Sequence, residues 1–554
     1  MNHKSTRLSL FLSLLAMLLP MSAFADPLRV TLRSSGDHLL AHFQLPSDAT
    51  TFEFFEDPMP PAQRAADWHI AGDGWSFDGQ RLTRNDGQAF AEFEVEIRPA
   101  SQLYDRKYVP AAAIGTGGWL VFANTFAPKG ADHVIRIAGL PDDHVVVGQG
   151  ALQPADGQFN GAELGLFYFG PGSYVTASGG LLVAGPEVPA KLRQDIAQHL
   201  AEAVSTLEAA WDIKAEPAPV VMITSKQDWN GRSRKGGVLG QTITFHFRGY
   251  DLDAMDSQFA ANIRNTVLHE AVHIWNGTLY SSSENAEQSW VHEGSAEYIA
   301  NRLWMDEATF NAAVEKAING CFLDLGSASV FETEIASRGQ TPYLCGHLIH
   351  LAAELASVAQ DGDDVLSLWR SIYEASEPAR EYDSALFLQR AEAIAGDDFM
   401  SIFALLEQGL TEADRQTLVA RLNALGATIR PMALGESAGG GSAIASKLLL
   451  GVLSSHCEGR YGFSRYGAVF QLDTDDRCGE ALGGNPSISA LNGLPLTGDP
   501  VALVQTVRER CADEGTLLLG TENGQSLPAL PCPAAVSTLP TPFKVVASGD
   551  LPAL

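Results

Sequence analysis

The sequence predicts a multidomain α+β chain, and three observations carry that prediction. Short alternating apolar runs continue as far as Pro189, helical spacing replaces them after it, and a Gly/Ser stretch precedes four of the six cysteines. With 554 residues, 45% of them hydrophobic and 19% charged, the chain has apolar material for several cores. Its balance is too ordinary for a disordered or collagen-like protein.

Residues 1–25 read as a secretory signal: Lys4 and Arg7, an apolar run from Leu8 to Pro20, and Ala23-Phe24-Ala25 as the small-residue cleavage site before Asp26. This predicts an exported protein, periplasmic or extracellular. No later stretch has the length of uninterrupted apolar residues that a membrane span needs, so no stable membrane anchor is expected after signal cleavage. All six cysteines follow the signal, an even number suited to an oxidising compartment, and proximity in sequence suggests Cys321 with Cys345, Cys457 with Cys478 and Cys511 with Cys532. The 66 acidic against 37 basic residues give a formal charge of −29, which repels phosphate backbones and sets nucleic acid aside as a partner.

From 26 to 189 the runs LRVTLRS, AFAEFEVEI, WLVFANTF and HVIRIAGL, separated by Gly, Pro, Asn and Asp turns, predict an N-terminal β-sandwich. From 190 to 430 a second domain is expected. Leu192, Ile196, Leu200, Val204 and Leu207 repeat at helical spacing up to Trp211, Pro219 to Thr224 reads as a buried strand, and Gln241 to Phe247 as a strand with one solvated face. A helix capped at Asp256 or Ser257 runs through His273, and helices near 308–319, 342–358, 363–375, 382–395, 397–409 and 413–425 complete a helical lobe. The segment 431–443 is a Gly/Ser linker, and 444–554 a small disulfide-stapled C-terminal domain.

The chemistry concentrates on His269-Glu270-Ala271-Val272-His273. Two histidines four residues apart on a helix face the same way and can grip one Zn²⁺, with Glu270 beside them as general base. The apolar Ile263, Val267 and Leu268 place the pentapeptide on a buried helix. A catalytic zinc needs a third protein ligand and an open position for water, and Glu293, in WVHEGSAEY twenty residues on, is the candidate. His292 is adjacent, but consecutive helical residues point about 100° apart, so only one of the two faces the metal. Glu297, one turn after Glu293, is a candidate to hold the far ring nitrogen of a ligand histidine, with an exposed helical partner as the alternative.

HEAVHIWN followed by WVHEGSAEY resembles the gluzincin metallopeptidases, in particular the aminopeptidase N and leukotriene hydrolase family and the glycyl aminopeptidase family. The resemblance implies a β-sandwich ahead of a thermolysin-like zincin catalytic domain with a helical lobe. TPYLCGHLI is similar to the family's P-Y-x-x-G element, which nominates Tyr343 as the hydroxyl that stabilises the oxyanion. The family's G-x-M-E-N stretch, whose Glu binds the substrate's α-amine, has its counterpart near GGVLGQTITF, yet Gly231 to Tyr250 contains no Asp or Glu. The C-terminal segment from Ile488 to Thr521 resembles the end of a PDZ domain.

The expected function is therefore an exported zinc metallopeptidase acting on peptide or protein substrates through a zinc-activated water, with the strand Gln241 to Phe247 open to edge addition by an extended peptide. Two alternatives stand beside it. One is an aminopeptidase whose amine-binding acid is Glu284 or Glu287; the other is a secreted binding protein with a non-catalytic zinc. Gly435-Glu436-Ser437-Ala438-Gly439 matches a nucleophile elbow, but Ala438 to Ser455 has no acid to complete a triad with His456. His347 and His350 are a weaker candidate pair for a second metal site, with a buried helix face as the alternative.

Overall fold

The computed structural model describes residues 27–554 except 56–58, 100–108, 131, 178–179, 230–232, 284–288, 327, 333–339, 437–440, 459–460, 475, 534–539 and 553. The expected signal 1–25, Glu284, Glu287 and Ser437 lie outside the described residues. The chain is mixed α+β and divides into two compact units, 1–111 with 122–140 and 155–164, and 112–121 with 141–154 and 165–554.

The first unit is built on a six-stranded sheet ordered Gln158–Asn160, His133–Ile137, Leu28–Ser35, His38–Ala49, Phe90–Ile97 and Trp68–Ile70. Alternation sets its two faces: Leu28, Val30 and Leu32 are buried while Arg29 and Arg33 are exposed. Phe43 stacks on Phe93 at 4.5 Å and meets Phe54 edge-on at 5.6 Å, so aromatic packing fills this core.

The second unit opens with a five-stranded sheet ordered Ala151–Gln153, His144–Gly148, Leu166–Pro171, Gly118–Phe122 and Ala111–Ile114. The sheet that underlies the candidate site is ordered Val175–Ala177, Leu181–Ala184, Val220–Lys226, Thr242–Arg248 and Ser233–Leu239. Two of its strands precede the expected boundary at 189. Pro189 marks the N-cap of a helix, Ala190–Trp211, that crosses from Leu181–Ala184 to the parallel strand Val220–Lys226. A βαβ crossover needs the strand before the helix in the same sheet, so the change of period falls inside this fold and not at its start.

The strand expected over Gln241 to Phe247 with one solvated face is instead an interior strand. Thr242–Arg248 is buried at every position because it lies between Val220–Lys226, parallel to it, and Ser233–Leu239, antiparallel to it. The open edge belongs to Ser233–Leu239, and any peptide joining this sheet would pair there.

The helices Glu307–Leu325, Thr341–Val358, Val365–Ser376, Ser384–Gln408 and Glu412–Ala424 form the helical part. Ser384–Gln408 merges two expected helices through a kink at Gly396, whose φ of 60° suits glycine. Cys321–Cys345 joins the first two of these helices, and Cys457–Cys478 and Cys511–Cys532 lie in the C-terminal part. That part has its own core, including Leu448, Val452, Phe470, Ile488 and Leu503. It contains the strand Ser487–Leu491, an Asn492-Gly493 turn, the helix Pro500–Asp513 and the short strand Leu519–Thr521.

The expected C-terminal domain 444–554 closes earlier than its last residue. Phe543–Ala547 pairs with Thr428–Pro431, and Phe543 and Val545 enter the larger core. Alternation gives the reason, since Val546 on the other face of that strand is 53% exposed. No helix among the described residues is long and apolar enough to cross a membrane.

Candidate metal centre

The helix Ser257–His273 starts as its cap predicts, with Asp256 Oδ1 accepting the Phe259 N–H at 2.8 Å. Ile263, Val267, Leu268, Ala271 and Val272 sink into the core. Helical spacing then leaves His269, Glu270 and His273 at the rim, each 7 to 8% exposed. After His273 a π-helical turn, Ile274–Leu279, presents Asn276. Asn276 Oδ1 lies 2.9 Å from His273 Nδ1, and its Nδ2 donates to Ser295 Oγ and to the carbonyl of His292. That link ties the motif helix to Ser289–Trp304, the helix that carries Glu293.

His269 Nε2, His273 Nε2 and Glu293 Oε2 form a triangle with all three sides 3.2 Å. Donors about 2.0 Å from a tetrahedral zinc are separated by about 3.3 Å, so the set fits Zn²⁺ in size as well as in its two nitrogens and one oxygen. Among the described residues, no other group of three His, Cys, Asp or Glu side chains gathers in this way. On the far side His273 Nδ1 contacts Asn276 Oδ1, while Glu297 Oε2 stands 3.4 Å from His269 Nδ1, at ion-pair distance without a hydrogen bond. Both imidazoles turn Nε2 toward the common point, and Asn276 holds His273 in that orientation.

Glu293, and not His292, faces the cluster. His292 turns its Nδ1 to the Asn276 carbonyl at 2.9 Å and stacks on the His273 ring at 4.2 Å. Burial and the neighbouring His273 lower its pKa to about 3, so it serves as a neutral prop.

Tyr343 opens the helix Thr341–Val358 and stacks on His269 with ring centroids 5.7 Å apart. Burial and the carboxylates of Glu293 and Glu270 push its hydroxyl well above the ordinary tyrosine range, which keeps it a donor at neutral pH. Its approach depends on two glycines. A Cβ on Gly346 would come within 2.5 Å of Gly294 Cα, so the helices of Glu293 and Tyr343 touch backbone to backbone.

Glu270 lies across from the open strand. A Cβ on Gly236 would stand 2.7 Å from Glu270 Oε1, so glycine is what makes room for the carboxylate beside the edge. Burial raises the Glu270 pKa against the pull of His269 and His273. Burial also opposes charge on His269, yet the carboxylates of Glu293 and Glu297 raise its pKa to about 10.

No protein-family model and no curated protein matches the chain. Solved structures do. An aminopeptidase N family protein from Idiomarina loihiensis superposes with a TM-score of 0.56 at 13% identity, over 94% of this chain and 98% of its own. The chain has an aminopeptidase N fold. Looser likenesses are to yeast LTA4 hydrolase (TM-score 0.40, 13% identity, 69% of this chain and 68% of that one) and to an M1 zinc metallopeptidase mutant from Deinococcus radiodurans bound to a Tyr-Ser-Ala substrate (TM-score 0.42, 12% identity, 70% and 94%). These two add nothing to the fold assignment.

Within the aminopeptidase N fold, the edge strand Ser233–Leu239 carries Arg234 and Lys235 and no carboxylate. His347 and His350 gather no third metal donor among the described residues. His347 faces Asn301 and His350 Nδ1 donates to the Gly346 carbonyl, and burial lowers their pKa values to about 3 and about 4. They are neutral core histidines. The sequence reading missed Asn276, Gly236 and the Gly294–Gly346 contact. Asn276 had a visible signal, three residues past a ligand histidine; the two contacts join segments far apart in sequence and have none.

Proposed function

We propose that the protein is an exported zinc-dependent metallopeptidase that hydrolyses peptide bonds. His269, His273 and Glu293 would hold the Zn²⁺, Glu270 is the general base, Tyr343 the oxyanion donor, and Glu297 orients His269. The observation that carries this reading is the 3.2 Å donor triangle with Glu270 and Tyr343 at its border.

When bound, the zinc supplies a Lewis acid that makes water nucleophilic at neutral pH and polarises the scissile carbonyl. Glu270 takes the proton of the attacking water and returns it to the leaving amine, and its raised pKa suits both tasks. Tyr343 keeps its proton and hydrogen-bonds the oxygen on which negative charge develops. The backbone of Ser233–Leu239 aligns an extended peptide, with Gly236 at the level of Glu270. That strand carries no carboxylate to pair with an α-amine, so an amine-binding acid would have to come from elsewhere, as Glu284 or Glu287.

Export is supported by the signal-like residues 1–25 and three disulfides, and predicts a mature chain starting at Asp26. The strand, Asn-Gly turn, helix and strand from Ser487 to Thr521 support a PDZ-like C-terminal module. The test of the activity is a mixed peptide library, with and without blocked amino groups, incubated with the zinc-loaded protein and read by mass spectrometry. Cuts in both sets support the reading; a zinc-bound protein that cuts nothing overturns it.

A further inference from the structure

A cavity of about 430 Å³ lies between the start of the motif helix, the edge strand and the C-terminal hairpin, with Arg234, Phe259, Asn262, Arg465 and Tyr466 in its wall. Side chains two apart on a strand share a face, so Arg234 projects on the side where Gly236 meets Glu270, about 7 Å along the strand. Asn262 is eight residues before Glu270 on the helix, about 12 Å by helical rise. The cavity is thus two to three residues of extended peptide from the scissile position.

Two guanidiniums, Arg234 and Arg465, and two carboxylates, Asp251 and Asp256, line it, and Arg234 is ion-paired with neither carboxylate. Arg234 is half-buried and makes no ion pair among the described residues, whereas the half-buried Arg302 and the buried Arg415 pair with Glu354 and Glu412. Asp251 and Asp256 also line the cavity, but each is engaged as a cap, accepting the N–H of Asp253 and of Phe259. From the opposite wall Arg465, exposed on the hairpin, adds a second guanidinium. A partly desolvated cation without an acidic partner favours an anionic ligand.

The hairpin reaches further. The strand Phe463–Tyr466 has its Tyr466 end in this cavity, and Phe463 lines a second one of about 310 Å³ with Gln340 and Leu344, neighbours of Tyr343. The C-terminal hairpin therefore lies beside both the start of the motif helix and the start of the tyrosine helix.

We propose that Arg234, with Arg465 from the C-terminal hairpin, forms a carboxylate subsite that selects peptides carrying a negative group two to three residues from the cut bond. This deepens the peptidase reading and rests on it. The carboxylate is either a substrate's free C-terminus or an Asp or Glu side chain.

The test uses the zinc-loaded full-length protein and matched peptides with Glu or Gln at each position near the cut, each as free acid and as C-terminal amide. A charge-assisted hydrogen bond predicts a preference of roughly tenfold or more for one carboxylate form, expressed in KM and weakened by salt. Which arm shows it, acid against amide or Glu against Gln, identifies the source. Arg234→Gln and Arg465→Gln should collapse the ratio, and Arg234→Lys should restore part of it. Neutral peptides cut by the wild type without any such preference, or a ratio that survives Arg234→Gln, would overturn the subsite and leave the peptidase reading intact. If the wild type cuts no peptide, the peptidase reading fails by itself. Anisotropy with the same peptides on Glu270→Gln then decides the subsite, and equal binding of charged and neutral forms overturns it.

Discussion

Gly294 and Gly346 meet backbone against backbone, where a Cβ on Gly346 would come within 2.5 Å of Gly294 Cα and close to the Trp290 carbonyl. Each follows a residue of the candidate site, Gly294 directly after Glu293 and Gly346 three residues after Tyr343. The glycines of W-x-x-E-G and P-Y-x-x-G thus have a packing cause: they set the distance between the carboxylate and the phenol.

Gly346→Ala should force these helices apart. Overpacking of this kind costs about 1–3 kcal/mol, and the displaced Tyr343 should lower kcat as well. Thermal unfolding beside kinetics checks both, and an unchanged kcat would show that the contact does not position the tyrosine.

Tyr343→Phe removes one hydrogen-bond donor and little volume. Loss of an oxyanion donor predicts a fall in kcat of roughly 10²–10³ with zinc content unchanged. A variant of wild-type activity would place Tyr343 among ordinary core residues.

Zinc loading should release protons. In the metal-free protein His269 has a pKa of about 10, held there by Glu293 and Glu297 against burial, so at pH 8 it carries a proton that the metal must displace. Calorimetry in buffers of different ionisation enthalpy should read about one proton per zinc, and zinc affinity should fall as the pH is lowered. Glu297→Gln should weaken zinc by roughly 10–100-fold, as loss of a carboxylate behind a ligand histidine does.

Acid should destabilise the fold through His246 and His350. Burial depresses their pKa values from 6.5 to about 3 and about 4. The folded form is then the one that binds fewer protons, so their contribution is present above pH 6.5 and is lost as the pH falls toward 4. Each histidine accounts for about 2 kcal/mol between pH 6.5 and 5. The gap between urea midpoints at pH 7 and 5 should therefore be smaller in His350→Gln than in wild type, and a gap equal to wild type would contradict the assignment.

Much of this was legible in the sequence because local rules govern it. The cap at Asp256, the apolar face of the motif helix and the i, i+4 histidines follow from helical periodicity, and the structure holds all three in place. The disulfide partners followed from proximity in sequence. Tertiary order was not legible in the same way. Alternation in Gln241 to Phe247 is compatible with an edge strand or an interior one, and only the pairing of Ser233–Leu239 over Thr242–Arg248 decides. The pairing of Phe543–Ala547 with Thr428–Pro431 spans more than a hundred residues and leaves no local signature.

The central claim is that Glu270 moves the proton at a zinc held by His269, His273 and Glu293. It is tested most directly by measuring bound zinc and peptide cleavage in parallel for the wild type and Glu270→Gln. About one zinc is expected in both proteins, with a fall in cleavage of roughly 10²–10⁴ in the variant. Full zinc with undiminished cleavage in Glu270→Gln would contradict it.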